Sequence, residues 1–233
     1  VFGWLVLAAW APALMSLWLA RRHVQRWRRL EMGLVRELLT SNGTLAVLLA
    51  MTSTDVLLAR HLLTAHDAGA YAFAGLFGKV VFWGTQFVAL TLVPVASRGA
   101  GRRPVFAALG LVLGLGAVGI LVVGVVPEQL VRVLGGTEYL DAAGLLPAFT
   151  ALGTLWALCQ VLLFAEMARG HRGLTVVALA GTLVGAGALL LGDVTTVSPV
   201  VGTYAGVAAL VALMGSARLV LRGGEPGAEV DRP

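Results

Sequence analysis

The sequence predicts an all-α fold, a polytopic transmembrane bundle of about seven spans. Three observations carry that expectation. Charged residues make up 12% of the chain and apolar residues 58%, which leaves about half the charge that coats a soluble domain. The apolar residues gather into runs of about 20, the length that crosses a bilayer as a helix. The arginines gather between the runs, at every second connection.

The runs follow in order. Run a covers Val1 to Ala20, b Asn42 to Leu63, c Ala70 to Ser97 and d Val105 to Val126. Run e covers Ala142 to Ala168, f Leu174 to Gly192 and g Val197 to Leu221. Between a and b lie Arg21, Arg22, Arg26, Arg28, Arg29 and Arg36. Arg98, Arg102 and Arg103 separate c from d, Arg169 and Arg172 separate e from f, and Arg218, Arg222 and Arg232 close the chain. The alternate connections hold only Arg60 and Arg132, beside Asp67, Glu128, Glu138, Asp141 and Asp193. Because cytoplasmic loops collect Arg and Lys, seven crossings place the start outside and the C-terminus in the cytoplasm of a cell-membrane protein.

Segment 21–40 has two readings. Val24, Trp27, Leu30, Leu34 and Leu38 recur at helical spacing with arginines on the other faces, as in a helix lying in the cytoplasmic interface; alternatively it is a loop that only sets topology. Residues 223–233 are polar and rich in Gly and Pro, the composition of a disordered tail. The chain starts at Val1 inside an apolar run, so a fragment lacking an N-terminal part is expected. Glycines Gly110 with Gly114, Gly181 with Gly185, and Gly202 with Gly206 form small-xxx-small pairs that let helices approach closely.

The net charge of +5 lies at the ends of apolar runs. A membrane surface is therefore the expected partner, and nucleic acid is not. Cys159 is the single cysteine, which excludes an intrachain disulfide. His23, His61, His66 and His171 lack metal-ligand spacing, and no nucleophile elbow or phosphate loop is present. No enzyme, metal or cofactor is expected.

Ionisable groups inside apolar spans cost about 3 kcal/mol each at mid-helix by insertion scales. Asp55 and Arg60 in b, Lys79 in c and Glu166 in e therefore need reasons. Asp55 lies about 12 Å, and Lys79 about 14 Å, from the outer end of its run at 1.5 Å per residue. Antiparallel neighbours would bring them together, either as a buried pair fixing register or as the lining of a polar path. Gln86, at i+7 from Lys79, would extend that face, with Gly75 and Gly78 leaving room. Arg60 either snorkels to the interface or holds a phosphate. Glu166 has Arg169 at i+3 as its expected local partner.

Two stretches carry a family resemblance. TDVLLARHLLTAHDAGAYAFAGLFGKVVFWGTQFVALTLVPVAS resembles polysaccharide flippases of the multidrug/oligosaccharidyl-lipid/polysaccharide exporter superfamily. The positions that carry it are Asp55, Asp67, Ala68, Gly69, Tyr71, Lys79, Pro94 and Ser97. GTEYLDAAGLLPAFTALGTLWALCQVLLFAEMARGHRG is similar through Tyr139, Ala142, Ala143, Pro147, Ala168, Arg169 and Gly170.

The resemblance implies a two-lobed transporter of 12 or 14 helices that turns lipid-linked oligosaccharide over between leaflets in cell-envelope polysaccharide synthesis. Residues 1–20 would be the last helix before the lobe, 21–40 the cytoplasmic link and 41–222 one six-helix lobe. The implied partners are membrane lipid, the lipid-linked oligosaccharide, the N-terminal lobe, and polysaccharide-assembly glycosyltransferases or a polymerase. Lys79 and Arg60 would meet the lipid pyrophosphate, with Asp55 as counter-charge or ion-coupling group. The competing expectations are a drug/cation antiporter of the same superfamily and a non-transporting membrane scaffold.

Overall fold

The computed structural model describes residues 32–97 and 102–221, with side chains over 42–91 and 102–221. The helix expected over 1–20, the linker up to residue 31 and the tail over 223–233 lie outside the described residues. In chain order the helices are α1 (Met32–Met51), α2 (Thr54–Leu62), α3 (Ala65–Gly84), α4 (Gln86–Ser97), α5 (Arg103–Val125) and α6 (Pro127–Leu134). A 3-10 helix (Thr137–Leu145), α7 (Leu146–Ala168), α8 (Gly173–Leu191) and α9 (Val197–Leu221) follow. Among the described residues there is no strand.

Six helical segments are long and apolar enough to cross a membrane: Asn42–Leu62, Ala65–Thr91, Arg103–Val125, Thr137–Ala168, Gly173–Leu191 and Val197–Leu221. They match runs b to g. Run c starts five residues earlier than expected because Thr64 caps α3. The Thr64 hydroxyl oxygen accepts from the Asp67 N–H at 3.2 Å and its O–H donates to Asp67 Oδ2 at 2.8 Å, which satisfies an N–H that the first turn leaves orphaned. Pro104, Pro127 and Pro147 each sit in the first turn of their helix, where a missing N–H costs nothing. The connection between d and e folds into α6 and the 3-10 helix, which pack on each other, and the 3-10 helix packs on α3.

Helix α7 is the central post. In its most apolar window 78% of residues are buried, against 22–39% in the other five spans. It packs against α3, α4, α5 and α9. The tightest crossing is with α3 at Gly78 and Gly153. A Cβ on Gly78 would fall onto the Phe149 carbonyl oxygen, and one on Gly153 onto the Gly78 carbonyl. Neither helix could carry a side chain there without parting from the other. Helix α5 seats Gly116 against Thr154, and α9 seats Gly215 against Leu162 and Leu174.

Of the glycine pairs read from sequence, Gly181 and Gly185 meet Val207 and Thr203 of α9. Gly110, Gly114, Gly202 and Gly206 have nothing within 4 Å of a built Cβ. Those four do not close helix contacts within the described residues. The spacing rule finds small residues, but it does not say which side of a helix has a neighbour. Large apolar side chains such as Leu113, Leu121, Val184 and Leu213 remain exposed around the outside, as a surface that faces lipid requires.

Candidate functional site

Run b is not one straight helix. It breaks at Thr52 and Ser53, near the middle of the Asn42–Leu62 span. The sequence Thr52-Ser53-Thr54 explains the break locally, because hydroxyls there compete for backbone carbonyls. Thr52 Oγ1 donates to the Leu48 carbonyl at 2.9 Å and Thr54 Oγ1 to the Ala50 carbonyl at 2.6 Å. The Ser53 N–H shifts to the i−3 carbonyl of Ala50 at 3.3 Å. A helix that restarts in mid-span exposes its first N–H groups, and the residue placed over them is Asp55. Its carboxylate lies within reach of the N–H groups of Asp55 and Val56, where the positive end of a helix favours an anion.

Asp55 is 1% exposed. Tyr71, fully buried in α3, donates its O–H to Asp55 Oδ2 at 3.1 Å. The Tyr71 ring packs edge-on against Phe149 of α7, with centroids 4.6 Å apart, which fixes its position. Asp55 Oδ1 has no hydrogen-bond partner. Tyr204 of α9 brings a third buried polar group within electrostatic reach of Asp55, and its hydroxyl is also unpartnered. Two consecutive helices, α2 and α3, and the distant α9 thus converge on one carboxylate.

The other residues expected at the site are placed as follows. Lys79 is half-buried on α3 and within electrostatic reach of Asp55. No ion pair joins the two; the hydrogen bond to the carboxylate comes from Tyr71. Gln86 is half-buried at the start of α4, and the turn at Thr85 interrupts the helix between it and Lys79. Their i+7 spacing is therefore not that of one uninterrupted helix. Arg60 is exposed in the last turn of α2, one and a half turns beyond Asp55. The sequence singles out Tyr71 only as a position of the resemblance and not as a site residue, and it does not single out Tyr204. The signal that could have found Tyr71 is its place within two turns of a capped helix start, opposite an aspartate already flagged.

Glu166 has a different partner from the one expected. Its Oε1 accepts from Arg218 Nη1 at 3.1 Å and its Oε2 from the Leu174 N–H at 2.6 Å, while Arg169 is exposed. The reason is the turn at Gly170, whose φ of +73° suits glycine alone. That turn brings the first turn of α8 back over Glu166, whose carboxylate accepts from the orphaned Leu174 N–H, a role that an arginine, having only donors, cannot fill. The guanidinium of Arg218 lies against Gly173, where a Cβ would sit 2.6 Å from Nη1. One carboxylate thereby ties α7, α8 and α9 at the arginine-rich end.

At the opposite end a cleft of about 150 Å³ opens between the start of α3 and the 3-10 helix, lined in part by His66, Gly69, Glu138, Tyr139 and Asp141. His66 Nε2 lies 3.3 Å from Asp141 Oδ2, and Tyr139 stacks on Phe73 with centroids 5.0 Å apart. Among the described residues no group of three His, Cys, Asp or Glu side chains is arranged to hold a metal ion. No protein-family model, curated protein or solved structure matches the chain.

Proposed function

We propose that residues 42–221 form one membrane lobe of a flippase for lipid-linked oligosaccharide in cell-envelope polysaccharide synthesis. The arginine-rich end faces the cytoplasm of the cell membrane. The observation that carries this reading is Asp55. A carboxylate 1% exposed at the restart of a broken span is costly by about 3 kcal/mol on insertion scales. Broken helices at mid-membrane are where transporters build substrate and ion sites.

Lys79, within electrostatic reach of that carboxylate, supplies the cationic group that a lipid pyrophosphate needs. Arg60 stands nearer the rim and Gln86 nearer the arginine-rich end, so the path runs along α2, α3 and α4. The experiment is complementation of a flippase-deficient strain by the full-length protein. Lys79→Ala and Asp55→Asn should each abolish surface polysaccharide without lowering the amount of protein in the membrane. Wild-type polysaccharide from both variants would refute the reading.

One observation favours a second reading, a drug/cation antiporter. Asp55 has no ion-pair partner and keeps one oxygen without a hydrogen bond, a state suited to an exchangeable cation. That reading predicts that Asp55→Asn abolishes cation-driven efflux and leaves surface polysaccharide intact.

A further inference from the structure

Among the described residues, four buried side-chain polar atoms have no hydrogen-bond partner: Asp55 Oδ1, Tyr204 Oη, Trp156 Nε1 and Gln160 Oε1. Their residues are at most 3% exposed. Leaving such a group dry costs about 1–3 kcal/mol, and native interiors rarely hold several at once. Their chemistry is complementary in pairs. Asp55 Oδ1 only accepts when ionised, whereas Tyr204 has an O–H to donate; the helices that carry them, α2 and α9, pack on each other, and the two residues lie within electrostatic reach. Trp156 only donates through Nε1, whereas Gln160 Oε1 only accepts. Those two stand one turn apart at i and i+4 on α7, where side chains are neighbours.

A buried donor and a buried acceptor on packed or neighbouring positions, neither bonded to the other, are what one bridging water can join. The Tyr71 oxygen, which spends its proton on Asp55 Oδ2, keeps lone pairs for a third bond to the first water. We propose that the bundle interior holds two ordered waters, one bridging Asp55 Oδ1 to Tyr204 and one bridging Trp156 to Gln160. The first water leaves both oxygens of the carboxylate hydrogen-bonded, through Tyr71 on one side and water on the other. The broken span is then wet at mid-depth, while Phe149 and Phe164 of α7, equally buried, have no polar side-chain group to hold water.

X-ray hydroxyl-radical footprinting of the full chain in lipid nanodiscs tests this, because radicals form from water at the site. After normalising for intrinsic reactivity, Tyr204 and Trp156 should be modified severalfold faster than Phe149 and Phe164. Mixing with 18O-labelled water should show delayed label uptake at Tyr204, the mark of a held water. Asp55→Leu, which removes the acceptor, should lower the Tyr204 rate and leave that of Trp156 unchanged. Modification of Tyr204 and Trp156 as slow as that of the two phenylalanines would overturn the proposal, whether or not the variant folds. Labelling requires no transport, so this result stands apart from the complementation test.

Discussion

Replacing Gly153 with alanine strikes the α3–α7 crossing at its narrowest point. The added Cβ would lie 2.5 Å from both the carbonyl carbon and the Cα of Gly78, where ordinary contact begins at 3.4 Å. The Gly78 carbonyl oxygen is nearer still, so clearing these contacts requires the helices to part by more than about 0.9 Å, and the obstructing atoms are backbone that cannot rotate aside. Overpacking of this kind costs about 1–3 kcal/mol, against which alanine returns up to about 1 kcal/mol of helix preference. Because backbone meets backbone, the upper part of that range applies, about 2–3 kcal/mol, and the net loss of about 1–2 kcal/mol lowers the unfolding midpoint by roughly 2–8 °C in a chain of this size.

Cys159 provides the assay. It is buried, and its thiol donates to the Ala208 carbonyl at 3.2 Å, so a thiol-reactive fluorophore reports unfolding as that contact is lost. Gly114→Ala is the control, since its Cβ meets nothing within 4 Å, and its midpoint should stay at or above that of the wild type. The reasoning fails if Gly153→Ala melts at the same temperature as Gly114→Ala.

The remaining predictions concern side-chain contacts. Glu166→Ala orphans both Arg218 and the Leu174 N–H; because Arg218 is 31% exposed, the cost should be about 1–3 kcal/mol, below the 3–5 of a fully buried pair. Midpoints of Glu166→Ala, Arg218→Ala and the double variant should be non-additive, and additive losses would disprove the tie. Tyr71→Phe removes the side-chain hydrogen bond to Asp55 at 3.1 Å and should lower stability by about 1–2 kcal/mol; an unchanged midpoint would mean the bond carries nothing. In complementation, Arg60→Ala should lose far less surface polysaccharide than Lys79→Ala, because Arg60 is exposed and Lys79 is half-buried beside the carboxylate. Equal losses would contradict that ranking.

Much of this fold is legible in the sequence because lipid imposes a single rule. Every apolar run must close its own backbone hydrogen bonds, so runs b to g appear as the six long helices within a few residues. Local competition inside a run is harder to read. Thr52, Ser53 and Thr54 are apolar enough to pass as helix, yet their hydroxyls capture carbonyls and break it. Helix α6 escaped notice because its Pro127–Leu134 stretch is too short for helical periodicity to stand out. At the site, depth along the spans brought Asp55 and Lys79 to the same level, and the structure keeps them within electrostatic reach. Depth says nothing of azimuth, and it is azimuth that gave the hydrogen bond to Tyr71 rather than Lys79. The same gap assigned Glu166 to Arg169 at i+3, when Arg218, 52 residues later on α9, was already in place.

All of these expectations rest on helices that cross the bilayer with their arginine-marked ends on the cytoplasmic side. Single cysteines introduced at Glu138 and at Arg172, both exposed, can be probed with a membrane-impermeant maleimide in intact cells while Cys159 stays buried. Labelling at position 138 from outside and at position 172 only after the cells are opened is the predicted result. Labelling of both from the same side would contradict the six-span threading and, with it, the placement of Asp55 and Lys79 at mid-membrane.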